Sequence, residues 1–411
     1  MLNNALYFSP YLDGHRASYC QYFLKILIKY FKTIFVVTNN TELSPVHQAM
    51  LQPFIDTGQV KLIRIKDEFN ISTEEFIALQ DKLKVDLTII QEADNYLSLF
   101  NQQIKKDGRR LRGKNIGIFL RSYNYIYRRQ IYSSPWSYWK DGVHRWKHID
   151  KRWDADSIFF HEFLLPKFHL LDRAICLDEY FVNQHRLPHV WMPDIYFSLE
   201  EENSTNPTAE LARYQEPFER FIVENREREK ILYFGAANSR RGFDTLLKLA
   251  IDENGCFIHC GLATLSMKYQ YNVEDMKALL NKEGRFFEID AFLLSRLAVK
   301  MFFQNVNYVV MPYHRHLGSS GVMLLALNYG KPVLVPDIGL MAKRVKDNSL
   351  GMVYRHESYE DLRNKFIELK NQPIDQYRPT IQKFMTRFTN EQILGVIEQL
   401  ILDINNKTEL N

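Results

Sequence analysis

The chain has 411 residues, of which 46% are apolar and 25% charged, with a formal net charge of +4. That length suits two domains with a full core each, and the lack of any low-complexity tract excludes a disordered chain. Four scattered cysteines, Cys20, Cys176, Cys256 and Cys260, exclude a disulfide scaffold and read as core thiols of a reducing compartment.

The first apolar strand is expected at 6–8, followed by the loop Ser9-Pro10-Tyr11-Leu12-Asp13-Gly14-His15-Arg16, a helix over 17–30 and a strand over 33–37. Lys25, Lys29 and Lys32 interrupt the apolar run 22–38, which argues against a membrane span and for an amphipathic helix entering a strand. No signal peptide is expected. Gly14 would let the backbone approach a ligand closely. His15 or Arg16 could then contact a ligand, and His15 reads equally as a polar residue opening the helix. Further strands are expected at 62–65, 86–90, 116–119 and 174–177.

Charge is uneven along this half. Residues 105–152 hold 14 Lys/Arg against 3 Asp/Glu, so this stretch is net +11 while the rest of the chain is net −7. The same region carries Arg121, Tyr123, Arg128, Arg129, Trp136 and Trp139, and four of the five tryptophans fall between 136 and 153. Cations mixed with Trp and Tyr suit a bilayer interface. They also suit the wall of an acceptor cleft, or stacking on single-stranded nucleic acid. The triplet Asp154-Ala155-Asp156 that follows has the form of a metal-binding motif but reads as a chance surface pair.

Residues 187–194 read as the last strand and exit of the first domain. The polar, acidic stretch 199–226 reads as a linker or surface excursion. Beyond it, strands expected at 231–234, 256–260, 285–289, 308–311, 332–335 and 352–354 are interleaved with helices at 243–251, 273–281, 293–303 and 359–370. This is the pattern of a doubly wound parallel sheet, whose ligands bind beyond the carboxyl ends of the strands. Cys256, His259 and Cys260 lack the second ligand pair that a zinc site needs. The last helix opens on Thr389-Asn390-Glu391-Gln392, a capping box, and runs to about 404.

Two carboxyl ends carry suggestive chemistry. After the first strand of this half comes Gly235-Ala236-Ala237-Asn238-Ser239-Arg240-Arg241-Gly242. Cations are mildly unfavourable at a helix start, so two arginines there point to a phosphate, for which the guanidinium fork is suited. The bland alternative is a solvated helix start. After 308–311 comes Pro312-Tyr313-His314-Arg315-His316-Leu317-Gly318-Ser319-Ser320-Gly321, then a short apolar helix that Gly330 stops. The serines sit at the N-cap, which directs free amides and the positive end of the helix into the loop. An ordinary capped turn is the alternative. A pyrophosphate held between the two loops would make one coherent site.

Order and spacing together resemble the GT-B glycosyltransferases, close to glycosyltransferase family 4 of bacterial polysaccharide synthesis. The resemblance spans nearly the whole chain and rests on Arg241-Gly242, Pro312, Ala326 to Gly330, and Gly330-Lys331-Pro332-Val333. It implies two Rossmann-like α/β domains facing a cleft. The acceptor-side domain would cover 1–198, joined by a crossover helix in 385–411, and the nucleotide-sugar domain 227–384. It further implies donor binding by Gly14, Gly235, His316, Gly318, Ser319, Ser320 and Gly321, and catalytic roles for Arg240, Arg241 and His15.

The departures are specific. The family pairs two glutamates with seven residues between them, and here those positions are Leu317 and Leu325. A histidine that many relatives carry after the strand at 116–119 is replaced by Leu120-Arg121-Ser122-Tyr123. Donor reading through His314, Arg315 and His316, an unusual donor, and a degenerate copy all fit.

The implied activity is transfer of a sugar from a nucleotide donor with retention, without metal or other cofactor. The acceptor would be a glycan or a polyprenyl-diphosphate-linked sugar, which the basic aromatic stretch would suit at an anionic membrane or cleft wall, with no nucleic-acid partner. A cytoplasmic protein, peripheral at the inner membrane face, is the matching location. The rival classes are a non-catalytic protein that binds sugar nucleotide or a partner transferase, and a GT-B epimerase or phosphorylase, whose acid/base groups or cofactor lysine are not found.

Overall fold

A computed structural model describes residues 2–12, 15–39, 43, 45–65, 71–120, 127, 130, 165–184, 189–196, 209–262, 269–291 and 296–406. The chain divides into two compact units, Met1–Leu199 with Phe388–Asn411, and Glu200–Arg387. The basic aromatic stretch beyond Leu120 lies outside the described residues apart from Tyr127 and Gln130, and the Asp154–Asp156 pair lies outside them too.

Unit 1 is built on a seven-stranded sheet: β1 (Leu2–Phe8), β2 (Phe31–Thr38), β3 (Val60–Arg64), β4 (Leu87–Ile90), β5 (Lys114–Phe119), β6 (Arg173–Cys176) and β7 (His189–Trp191). The order is β3-β2-β1-β4-β5-β6-β7, and every pairing is parallel. Both faces are covered, which is why the strands read as continuous apolar runs. Ala5 and Tyr7 point into one core while Leu6 and Phe8 point into the other, as the two-residue period of a strand requires. Helices α1 (His15–Tyr30), α2 (Pro45–Ile55) and α3 (Thr73–Leu83) connect the first four strands. A capping box fixes the start of α3, with Ser72 Oγ accepting from the Glu75 amide and the Glu75 carboxylate accepting from the Ser72 amide.

Unit 2 opens with a correction. The stretch 199–226, expected as a linker, contains helix α4 (Ala209–Glu224). Phe218 is fully buried, with ring centroids 5.1 Å from Phe287 and 4.9 Å from Phe302. The acidic run at 200–202, Pro207 and the internal Pro217 mask this helix in the sequence. Two three-stranded parallel sheets follow, β10-β9-β8 and β11-β12-β13. They comprise β8 (Lys230–Phe234), β9 (Cys256–Cys260), β10 (Phe286–Ile289), β11 (Val309–Val310), β12 (Val333–Pro336) and β13 (Gly351–Tyr354). β8 and β11 are neighbours. The helices are α5 (Phe243–Asp252), α6 (Val273–Lys282), α7 (Arg296–Gln304), α8 (Gly321–Asn328), α9 (Gly339–Asn348), α10 (Tyr359–Lys370) and α11 (Arg378–Met385).

The chain then returns to unit 1. Helix α12 (Asn390–Asn406) places Ile393, Ile397, Leu400, Ile401 and Ile404 in the same core as Phe23, Leu24 and Leu27 of α1. Glu398 accepts from Lys29 Nζ at 3.0 Å and Tyr30 Oη at 2.9 Å. No helix among the described residues is long and apolar enough to cross a membrane.

Candidate functional site

The loop after β8 is built around Gly235. Its φ of +115° is a conformation that side chains rarely adopt, and a Cβ there would lie 2.6 Å from Arg241 Nη1. The missing side chain is therefore the seat of the Arg241 guanidinium. Asn238 caps the following turn by accepting from the Arg241 amide at 2.9 Å. Tyr233 Oη donates to the Ala236 carbonyl at 2.9 Å and accepts from the Asn238 amide at 3.3 Å, so the loop is tied to its own strand. Arg240 is exposed and Arg241 half-buried, both just ahead of the first turn of α5.

From below, the loop is held by a charged relay. The fully buried His259 places Nε2 3.1 Å from the Gly235 carbonyl oxygen and Nδ1 2.8 Å from Glu288 Oε1. His259 and Glu288 are register partners on β9 and β10. Lys277 Nζ donates to both Glu288 oxygens at 2.9 and 3.0 Å. Burial opposes ionisation of Glu288, but the hydrogen bonds from His259 and Lys277 prevail and hold its carboxyl below the usual range.

The loop after β11 meets the first loop directly. The His314 amide donates to the Arg240 carbonyl at 2.8 Å. Gly242, at φ +68°, packs so closely that a Cβ would fall 2.4 Å from the Pro312 carbonyl oxygen. Two sequence-distant corners are thus joined into one surface. Ser320 is the N-cap of α8 and accepts from the Met323 amide at 3.4 Å, while the Gly321 and Val322 amides belong to a first turn that has no intrahelical acceptors. His316 donates from Nε2 to the Ser319 carbonyl at 2.9 Å. Burial drives its imidazole down to about 4, and the Arg240 and Arg241 cations push the same way.

Leu317 and Leu325 are buried, at 4% and 6% exposure, and so belong to the apolar packing beneath the loop. Arg315 turns away: its amide donates to His356 Nε2 at 3.1 Å and its guanidinium pairs with Glu357 at 3.4 Å. One functional candidate was missed in the sequence. Arg344 of α9 is 1% exposed and donates from Nη1 to Ser319 Oγ at 2.9 Å, which puts a buried cation under the Ser319–Gly321 loop. Its signal was position, since it follows Leu340 by one helical turn on the buried stripe of Leu340, Met341 and Val345.

The unit 1 candidates are less well defined. Gly14 lies outside the described residues, and His15 opens α1. Arg16 is committed to Glu92, with bonds of 2.8 and 3.0 Å, and is not free to meet a ligand. Arg121, Tyr123, Arg128, Arg129, Trp136 and Trp139 lie outside the described residues. All four cysteines are buried free thiols, and no group of three His, Cys, Asp or Glu suited to a metal occurs among the described residues.

Solved structures decide the fold. Sucrose-phosphate synthase from Thermosynechococcus elongatus is similar over 99% of this chain and 100% of its own, with a TM-score of 0.63 at 14% identity. A glycosyltransferase from Rickettsia africae is similar over 99% and 98%, with a TM-score of 0.60 at 13% identity. The fold is GT-B. Anabaena HepE, solved in complex with UDP, shares the GT-B architecture over 99% of this chain and 100% of its own, with a TM-score of 0.56 at 14% identity. No family model and no curated protein matches the chain.

Proposed function

We propose that this GT-B chain is a glycosyltransferase that moves a sugar from a nucleotide-sugar donor to a glycan or lipid-linked acceptor. The observation that carries the reading is the hydrogen-bonded junction of the two unit 2 loops, with Arg241 seated over Gly235 on one side and the α8 amides on the other. A donor diphosphate would lie against that surface. As the bond from the anomeric carbon to the diphosphate breaks, charge grows on the leaving oxygen. Arg240, Arg241 and the Ser319–Gly321 amides would offset it, and Arg344 would hold the loop from beneath. The new bond would form to an acceptor hydroxyl, whose proton would pass to the departing diphosphate oxygen. Retention of configuration and independence of metal complete the proposal. HepE, solved with UDP and with UDP-glucose, supports a nucleotide-sugar donor. A role in cell-surface polysaccharide synthesis, at the inner membrane face, is supported by the basic aromatic composition of 105–152.

One observation favours a second reading. Leucines buried at both positions of the family's glutamate pair suit a protein that binds sugar nucleotide, or a partner transferase, without turnover. Titration with UDP, coupled to mass spectrometry of products from a nucleotide-sugar panel, separates the two: binding without product supports the second. In Arg241→Ala, transfer is expected to fall about a hundredfold or more with an unchanged unfolding midpoint. Undiminished turnover in that variant would remove the assignment.

A further inference from the structure

Unit 2 holds a cavity of about 310 Å³ that includes none of Arg240, Arg241 or the Gly318–Gly321 loop in its lining. It lies where the first turns of α5 and α10 approach the ends of β11 and β13. Four tyrosines form walls, Tyr271, Tyr313, Tyr354 and Tyr359, and Thr245 and Glu357 add polar groups.

One side chain of the lining, Thr245, has its Oγ1 buried with no hydrogen-bond partner, as has Asp244 Oδ1 of the residue before it. Thr245 is 6% exposed and Asp244 1%. Burying a polar atom unpaired is costly, which marks it as a group suited to a ligand partner. The other Asp244 oxygen accepts from the amides of Gln270 and Tyr271, at 2.7 and 3.2 Å, and so fixes one wall of the cavity. Lys248 Nζ lies 4.7 Å from the Tyr359 ring centroid and 5.7 Å from that of Tyr271, and donates to Asp252 at 2.8 Å. Tyr359 Oη donates to the same carboxylate at 2.7 Å. The aromatic walls are thus set before any ligand arrives.

The chemistry selects among occupants. The lining holds no lysine or arginine to meet an anion, and its one carboxylate, Glu357, is already paired with Arg315. A cation would meet the Lys248 ammonium, which already holds the cation position over two rings. A neutral polyol offers hydroxyl donors to the unpaired acceptors and C–H faces to the rings. The volume is at the small end of ligand pockets, room for one sugar ring and not for a nucleotide sugar. We infer that this cavity is a binding site for a single neutral sugar residue, bordering the donor corner at Pro312 and His314 without using Arg240, Arg241 or the Gly318–Gly321 loop, and independent of the transferase reading.

The test is saturation-transfer NMR and titration of the full chain with D-glucose, D-galactose, D-mannose and N-acetylglucosamine, beside choline, inorganic phosphate and uridine. At least one sugar is expected to bind saturably. Thr245→Val, which keeps the shape and removes the hydroxyl, should weaken that sugar about tenfold. UDP affinity should be unmoved in Thr245→Val and reduced in Arg241→Ala, so failure of one site is distinguishable from failure of the other. Tyr271→Ala, expected to weaken the sugar likewise, replaces the valine variant if thermal unfolding shows that one to be misfolded. The inference is overturned if no sugar binds, if choline, phosphate or uridine binds there instead, or if sugar affinity is unchanged in the folded variant.

Discussion

Arg241 and Gly235 explain each other. The arginine needs a floor without a side chain, and the glycine needs a reason to be held at φ +115°. His316 occupies the opposite loop under similar constraint, neutral because burial and two neighbouring arginines disfavour its charge. Its folded value of about 4 lies below the ordinary 6.5. Between those values the unfolded chain binds more protons than the folded one, so stability is full above 6.5 and is lost as pH falls toward 4. His316→Gln keeps an N–H for the Ser319 carbonyl and removes the titration. The wild-type unfolding midpoint is therefore expected to drop more steeply than that of the variant between pH 7 and 4 in parallel thermal melts. Coincident slopes would show that His316 is not the group responsible.

Elements were legible where physics wrote them in apolar residues. Strand 256–260 was read to its ends because all five residues are buried. β1 was read short, as 6–8, because Asn3 and Asn4 look like a loop. Their amides donate to the Asp86 carboxylate, and Asn4 Nδ2 donates to the Leu83 carbonyl, so tertiary partners extend the strand. α9 escaped notice because Lys343, Arg344, Lys346 and Asp347 dilute its apolar stripe. The two glycine-bearing loops were legible as motifs expected to share one ligand, but the hydrogen bond from the His314 amide to the Arg240 carbonyl was not, since 70 or so residues separate the loops and the neighbours β8 and β11 bring them together. α4 is the sharpest miss, and it carries a test. Phe218→Ala should destabilise unit 2 by about 3–5 kcal/mol, read as a lower denaturant midpoint, because a fully buried ring in an aromatic cluster leaves a cavity. A change within error would mean that α4 is not part of that core.

Over the whole molecule, the two units differ in how the chain supplies them. Unit 2 is one continuous segment, whereas unit 1 takes its strands from the first half and a helix from the far end. Ending the chain at Arg387 would strip five isoleucine and leucine side chains of α12 from the core that covers α1. Hydrogen exchange on that truncation is expected to lose protection in α1, β1 and β2 while β8, β9 and β10 keep theirs. Retained protection in α1 would show that unit 1 stands without α12.

The same arrangement sets an order of events during synthesis. The ribosome makes α1 well before α12, so the greasy side of α1 emerges hundreds of residues before its cover exists. Unit 2 can fold as soon as it leaves the exit tunnel, but unit 1 must wait for α12 to emerge. Such a nascent chain is a natural client for a holding chaperone, and pausing ahead of α12 would leave unit 1 the last to mature.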